Sequence, residues 1–205
     1  MIIKNYINKI GDFIIRRLAE LVGIFLVITS LLLFISLISY SPEDPNFIFP
    51  ENSEIKNFLG FRGSFVADMF FQSIGIISLL IPFSLLFTGL SITINKKFVI
   101  IIENFFFVIL YTVTATFFFG IFHKETYWLI INGNNGFVGE LMSETIISDF
   151  LKKNKSISYY FLIFFILIFF LLSSNFKISH ILKLFTFLKK LFLSKKLINN
   201  NLKLY

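Results

Sequence analysis

Apolar residues in this chain fall into four long blocks separated by shorter polar stretches: 21–40, about 65–94, 98–122 and 157–176. A helix needs about 20 apolar residues to cross a ~30 Å hydrocarbon core, and each block reaches that length. The pattern predicts an all-α integral membrane protein with four transmembrane helices forming a membrane domain over 21–176. Pro42 and Pro45 end the first span, because proline cannot continue a helix and forces an extended residue before it. The same stereochemistry predicts a kink in the second span at Pro82. Asn95-Lys96-Lys97 is short enough to make spans two and three a helical hairpin, while 41–64 and 123–156 are the longer connections.

The flanking segments are amphipathic. Ile3, Ile7, Ile10 and Ile14 recur at helical spacing opposite Lys4, Lys9, Asp12 and Arg16. Residues 1–20 therefore read as a cytoplasmic helix lying in the interface plane or as an extension of the first span. No small-residue cleavage site follows the first apolar block, and Arg16-Arg17 lacks the context of a twin-arginine signal, so this span is expected to be retained. In 123–156, Phe137, Val138, Leu141 and Met142 keep near-helical spacing but are interrupted by Glu140 and Glu144. That predicts a surface-lying or re-entrant amphipathic helix. Tyr127 and Trp128 fit an aromatic belt at the end of span three.

Composition agrees with the pattern. Of 205 residues, 56% are hydrophobic and 15% charged, and the mean hydropathy is +0.82, too few charges for the surface of a soluble domain. The net charge of +7 reports topology rather than nucleic acid. With the N-terminus inside, 13 of 19 basic residues fall on the inner side and 8 of 12 acidic residues in the outer loops. The expectation is N-in, C-in, with 41–64 and 123–156 outside. Lys152, Lys153 and Lys155 run against this rule. The tail 177–205 carries Lys177, Lys183, Lys189, Lys190, Lys195 and Lys196 among Phe and Leu. It is read as a binder of anionic lipid, with DNA as the alternative.

Candidate chemistry is sparse, and no enzyme is expected. There is no Cys, which removes disulfides, thiolate metal sites and thiol nucleophiles. No phosphate-binding loop or nucleophile elbow occurs, and His123 and His180 fall on opposite sides of the membrane, so no cofactor or metal site is expected. Asp68 and Glu103 are the ionisable residues within the spans, each near a helix N-terminus where a carboxylate is favoured. They support the alternative of a small transporter or channel subunit. Small residues Gly75, Ser78, Ser84 and Gly89 in span two permit close helix approach, within the molecule or to another.

One pattern is more specific. Tyr40-Ser41-Pro42-Glu43-Asp44-Pro45 is followed by Asn57-Phe-Leu-Gly60-Phe-Arg-Gly63-Ser64-Phe-Val-Ala-Asp68, and later by Asn135-Gly136-Phe-Val-Gly139. This resembles the N-terminal four-helix membrane domain of the FtsK/SpoIIIE DNA translocases. Their first periplasmic loop similarly reads Tyr-Ser-Pro-x-Asp-Pro, then Asn-x-x-Gly-x-x-Gly-Ala-x-x-Ala-Asp, with Gly-Gly-x-x-Gly before the last span. Ser64 and Asn135 depart from the usual Ala and Gly. Gly60 and Gly63 suit turns or close approach, Asp44 suits turn initiation, and Asp68 is placed to accept hydrogen bonds from the loop.

The resemblance implies a membrane anchor and oligomerisation module, a hexamer, for a DNA pump in the bacterial cytoplasmic (inner) membrane at the division septum. It implies contacts with division proteins, linking chromosome segregation to cell division, and only indirect contact with DNA. The family's ATPase motor does not follow span four here, which predicts a motor that is separately encoded or lost. A relic without function is the remaining alternative.

Overall fold

The computed structural model describes residues 2–45, 54–125, 129 and 133–175, with side chains from residue 9 onward. The lysine tail, His180, Tyr127 and Trp128 lie outside the described residues. The described chain is helical, with no strand among the described residues. It contains α1 (Ile2–Ile38), α2 (Gly60–Ile74), a 3-10 segment (Gly75–Leu80), α3 (Ile81–Asn95), α4 (Val99–Phe122), α5 (Gly136–Ser143), α6 (Ile146–Lys153) and α7 (Lys155–Ser173). Four helical stretches are long and apolar enough to cross a membrane: Lys9–Ile38, Gly60–Asn95, Val99–Phe122 and Lys155–Ser173.

The start of α1, the end of α7 and the α3–α4 turn share one end of the bundle, and the two long connections share the other, the loop end. α1 runs through Leu21 without a break, so the amphipathic first residues extend the first span as one helix. Arg17 and Lys96 both pair with Glu20, at 2.5 and 2.7 Å, joining the α3–α4 turn to α1. Lys96 itself takes φ 57°, the left-handed turn that ends α3.

The second span differs from the sequence expectation. Its interruption is not at Pro82 but at Gly75, where φ reaches +65° and α2 gives way to the 3-10 segment. Pro82 sits in the first turn of α3, where its missing N–H removes no helical bond. At about 1.5 Å per α-helical residue and 2.0 Å per 3-10 residue, Gly75–Asn95 alone extends about 34 Å. That is enough to cross the membrane. α2 packs against the last turns of α1, with Leu33 and Leu37 meeting Ala67 and Phe71. The charged residues of this span, Arg62 and Asp68, lie in α2, at the loop end of the bundle.

α1 packs chiefly on α3, and α4 on α7. Gly23 and Gly89 make the first crossing close: a Cβ on Gly23 would lie 2.7 Å from the Gly89 carbonyl, and one on Gly89 2.6 Å from that of Gly23. The small residues of span two thus serve contacts within the molecule. Ile77, Tyr111 and Ala115 form a second core cluster, and Phe117, Phe118 and Leu162 a third. Buried polar side chains tie the helices further. Ser84 Oγ is 3.2 Å from the Tyr111 hydroxyl and 3.0 Å from Ser173 Oγ. Asn104 Nδ2 donates to Thr88 (2.8 Å), and Asn175 Nδ2 donates to Asn104 Oδ1 (2.8 Å). Phe25, Ile102, Phe105, Phe161 and Phe164 point outward, giving the perimeter an apolar surface suited to lipid.

Candidate functional site

The motif residues of the first connection converge on one clamp. Asp44 closes a turn, its N–H donating to the Ser41 carbonyl (3.2 Å), as a residue between two prolines would. Its carboxylate also crosses to the far side of the loop. Oδ1 accepts the Lys56 N–H (2.8 Å) and Oδ2 the Asn57 N–H (2.9 Å), with Asp44 only 1% exposed. A buried carboxylate is tolerable only when its oxygens are hydrogen-bonded, and these two backbone donors meet that requirement. Outside the clamp, the Lys56 ammonium pairs with Glu43, which holds the Glu43 carboxyl below the usual carboxylate range.

Asn57 carries the clamp down to α1. Its Nδ2 donates to the Ser36 carbonyl (2.8 Å) and its Oδ1 accepts the Leu59 N–H (3.1 Å). Ser36 Oγ donates to the Gly63 carbonyl (2.6 Å), and Ser39 Oγ accepts the Phe58 N–H (3.1 Å). Gly63 has no room for a side chain, since a Cβ would fall 2.2 Å from Asn57 Oδ1. Gly60 has open space but takes φ +64° at the start of α2. The departure Ser64 uses its hydroxyl to donate to the Pro45 carbonyl (3.2 Å).

Asp68 is buried and joins α2 to the end of α1. Oδ1 accepts the Tyr40 hydroxyl (3.3 Å) and Gln72 Nε2 (3.4 Å), and the Tyr40 ring packs on Phe71 at 4.7 Å. Pinning of the loop is shared: Asp44 holds the loop backbone, and Asp68 holds the helix ends. Ser36 and Ser39 belong to the clamp although no sequence motif singled them out. Their signal was two hydroxyls close together at the loop end of a mostly apolar span.

The later motif joins this end from the other side. The Ile76 N–H donates to the Asn134 carbonyl (3.0 Å), so the turn before α5 docks onto the 3-10 segment. Gly136 has φ +61° and meets the backbone of 73–75, while Gly139 lies against the Thr116 carbonyl of α4. Asn135 has φ −90°, a conformation that needs no glycine, so its departure from the Gly-Gly-x-x-Gly pattern is accommodated. Lys124 pairs with Glu140 at 2.7 Å and holds that carboxyl below its usual range. The expected amphipathic segment consists of two helices, α5 and α6. Ile146, Ile147 and Phe150 of α6 are exposed beside Asp149 and Lys152.

The motif elements from 40–68 and 136–139 thus form one hydrogen-bonded end to the bundle. The 4TM region of DNA translocase FtsK/SpoIIIE matches this chain over residues 15–186. The chain belongs to that family. No curated protein and no solved structure matches it. As an FtsK/SpoIIIE-type membrane region, the chain is a multi-pass membrane protein. In this family the membrane region is a domain separate from the ATPase motor. Glu103 lies exposed on α4, and Asp68 is buried at the loop end, so the structure does not bring the two acidic candidates together. Among the described residues, no group of three or more His, Asp or Glu side chains is placed to hold a metal.

Proposed function

We propose that this 4TM region anchors a DNA translocase in the bacterial inner membrane at the division septum and brings its copies together. The topology is N-in, C-in, which sets the clamped loop end outside and the basic tail on the cytoplasmic side. The family match over 15–186 carries this reading, supported by the clamp. A hydrogen-bonded loop end offers division proteins a fixed surface, at lower ordering cost than a free loop would have. The chain supplies no motor activity, works as a homo-oligomer, hexameric by resemblance, and meets DNA only through the motor. Its tail lysines Lys177 to Lys196 hold anionic lipid.

A fluorescent fusion in dividing cells tests the anchor reading. Enrichment at the septum is expected, and a uniform membrane signal would overturn it. Asp68→Asn and Glu103→Gln proteins should still localise. Loss of an ion or solute flux in either variant would instead favour a small transporter or channel subunit.

A further inference from the structure

A cavity of about 450 Å³ opens between α1, α2 and α3, lined by ten residues that include Thr29, Leu33, Val66, Phe70 and Leu85. Two hydroxyls line it, and both are engaged within the protein: Thr29 Oγ1 donates to the Phe25 carbonyl at 2.9 Å and Ser36 Oγ to the Gly63 carbonyl at 2.6 Å. The wall therefore offers a ligand almost nothing but hydrocarbon. Leu32 and Leu59 also line the cavity and are exposed, so it opens on the perimeter of the bundle rather than toward its core. From Ser36 near the loop end to Thr29, the groove descends about 10 Å along α1 at 1.5 Å per residue. It lies within the depth of one leaflet.

Arg62 lines the same groove, beside Gly63 at its loop end. It is exposed, and no acidic side chain pairs with it among the described residues. An arginine at this depth presents a planar set of donors suited to phosphate. We propose that the groove is a lipid site for an anionic phospholipid, with one acyl chain between α1 and α2 and the phosphate on Arg62. The site exists because α2 breaks away at Gly75 and folds over the end of α1, leaving the space beneath it unfilled. A bound lipid would complete the packing of the loop end. It would also couple the position of the clamp to the composition of that leaflet.

The test uses the full chain in nanodiscs of phosphatidylethanolamine and phosphatidylglycerol, with a diazirine in one acyl chain of the phosphatidylglycerol. After irradiation, adducts should map to 29–36 and 59–70 in excess over the outward face of α4 at Ile102, Phe105 and Ile109. Arg62→Gln should lower groove labelling about five-fold, the equivalent of about 1 kcal/mol for one basic residue at an anionic surface. Arg62→Lys, which keeps the charge but not the planar donor set, should restore part of it. Val66→Trp, which fills the groove, should lower labelling whatever the headgroup. Because Arg62 is exposed, its variants still test the site if Val66→Trp fails to fold. Adducts spread evenly around the bundle, or labelling indifferent to Arg62→Gln, would overturn the proposal. So would a disulfide-linked dimer of the Thr29→Cys protein in membranes, which would seat a second copy in the groove.

Discussion

Gly75 and Gly136 face each other backbone to backbone, both at positive φ (65° and 61°), although 61 residues separate them in sequence. A Cβ on Gly75 would fall 2.0 Å from the Asn134 carbonyl oxygen, and one on Gly136 would fall 2.5 Å from the Gly75 nitrogen. This contact joins the break in the second span to the turn that starts α5. It fixes where the second connection sits on the bundle.

Alanine at either position meets two penalties, a positive-φ backbone at about 1–3 kcal/mol and a collision with immovable backbone. Gly60→Ala meets only the first, because the space around Gly60 is open. Thermal unfolding in detergent should therefore rank Gly75→Ala and Gly136→Ala well below Gly60→Ala. Gly11→Ala, in mid-helix with nothing within 4 Å, should gain about 0.5–1 kcal/mol. Equal melting temperatures for Gly60→Ala and Gly136→Ala would contradict the backbone contact.

Asp44→Ala leaves the Lys56 and Asn57 amides without their acceptor, at about 1–3 kcal/mol for the buried Asn57 donor and less for the part-buried Lys56 one. Asp44→Asn keeps one acceptor oxygen and should lose less. Hydrogen exchange read at those two amides checks it: both should exchange faster in Asp44→Ala, and only one in Asp44→Asn.

Neighbouring residues of α4 should behave oppositely. Asn104 is 1% exposed and links Thr88 to Asn175, so Asn104→Leu should cost about 0.6–1.7 kcal/mol, the range for polar ties between membrane helices. Glu103 is exposed, and Glu103→Gln should stay within about 0.5 kcal/mol of the parent. Unfolding in mixed micelles separates the two.

The Lys124–Glu140 pair should give the loop end a small pH dependence. Glu140 is held below its ordinary value of 4.5, chiefly by the hydrogen bond from Lys124. A depressed carboxyl stabilises the fold above that ordinary value, and the contribution disappears as pH falls through the lower folded-state value. The pair is partly exposed, so the effect should be about 0–1 kcal/mol. Comparing melting at pH 7 and pH 3 should show a smaller acid loss in Glu140→Gln than in the parent.

Much of the site was legible because its residues have unusual local chemistry. Pro42, Asp44 and Pro45 predict a turn, and Gly60 and Gly63 a tight approach to a helix. The partners were not legible. Nothing local says that the Asp44 carboxylate meets the amides of Lys56 and Asn57, or that Ser36 meets the Gly63 carbonyl. Ser36, Ser84 and Asn104 read alone as minor polar substitutions in apolar spans. Pro82 misled for a related reason: proline restricts a helix interior, but at the first turn it is unstrained, and which case holds depends on where the helix begins.

The class, the four apolar blocks and the family motif could be read from the order of residues alone, because spanning a hydrocarbon core demands long apolar runs that no other fold needs. That the second block divides at Gly75 into a loop-end helix and a crossing one was settled only in three dimensions. The cause lies 61 residues away: the turn before α5 occupies the space beside Gly75, accepts the Ile76 N–H, and leaves room for no side chain there.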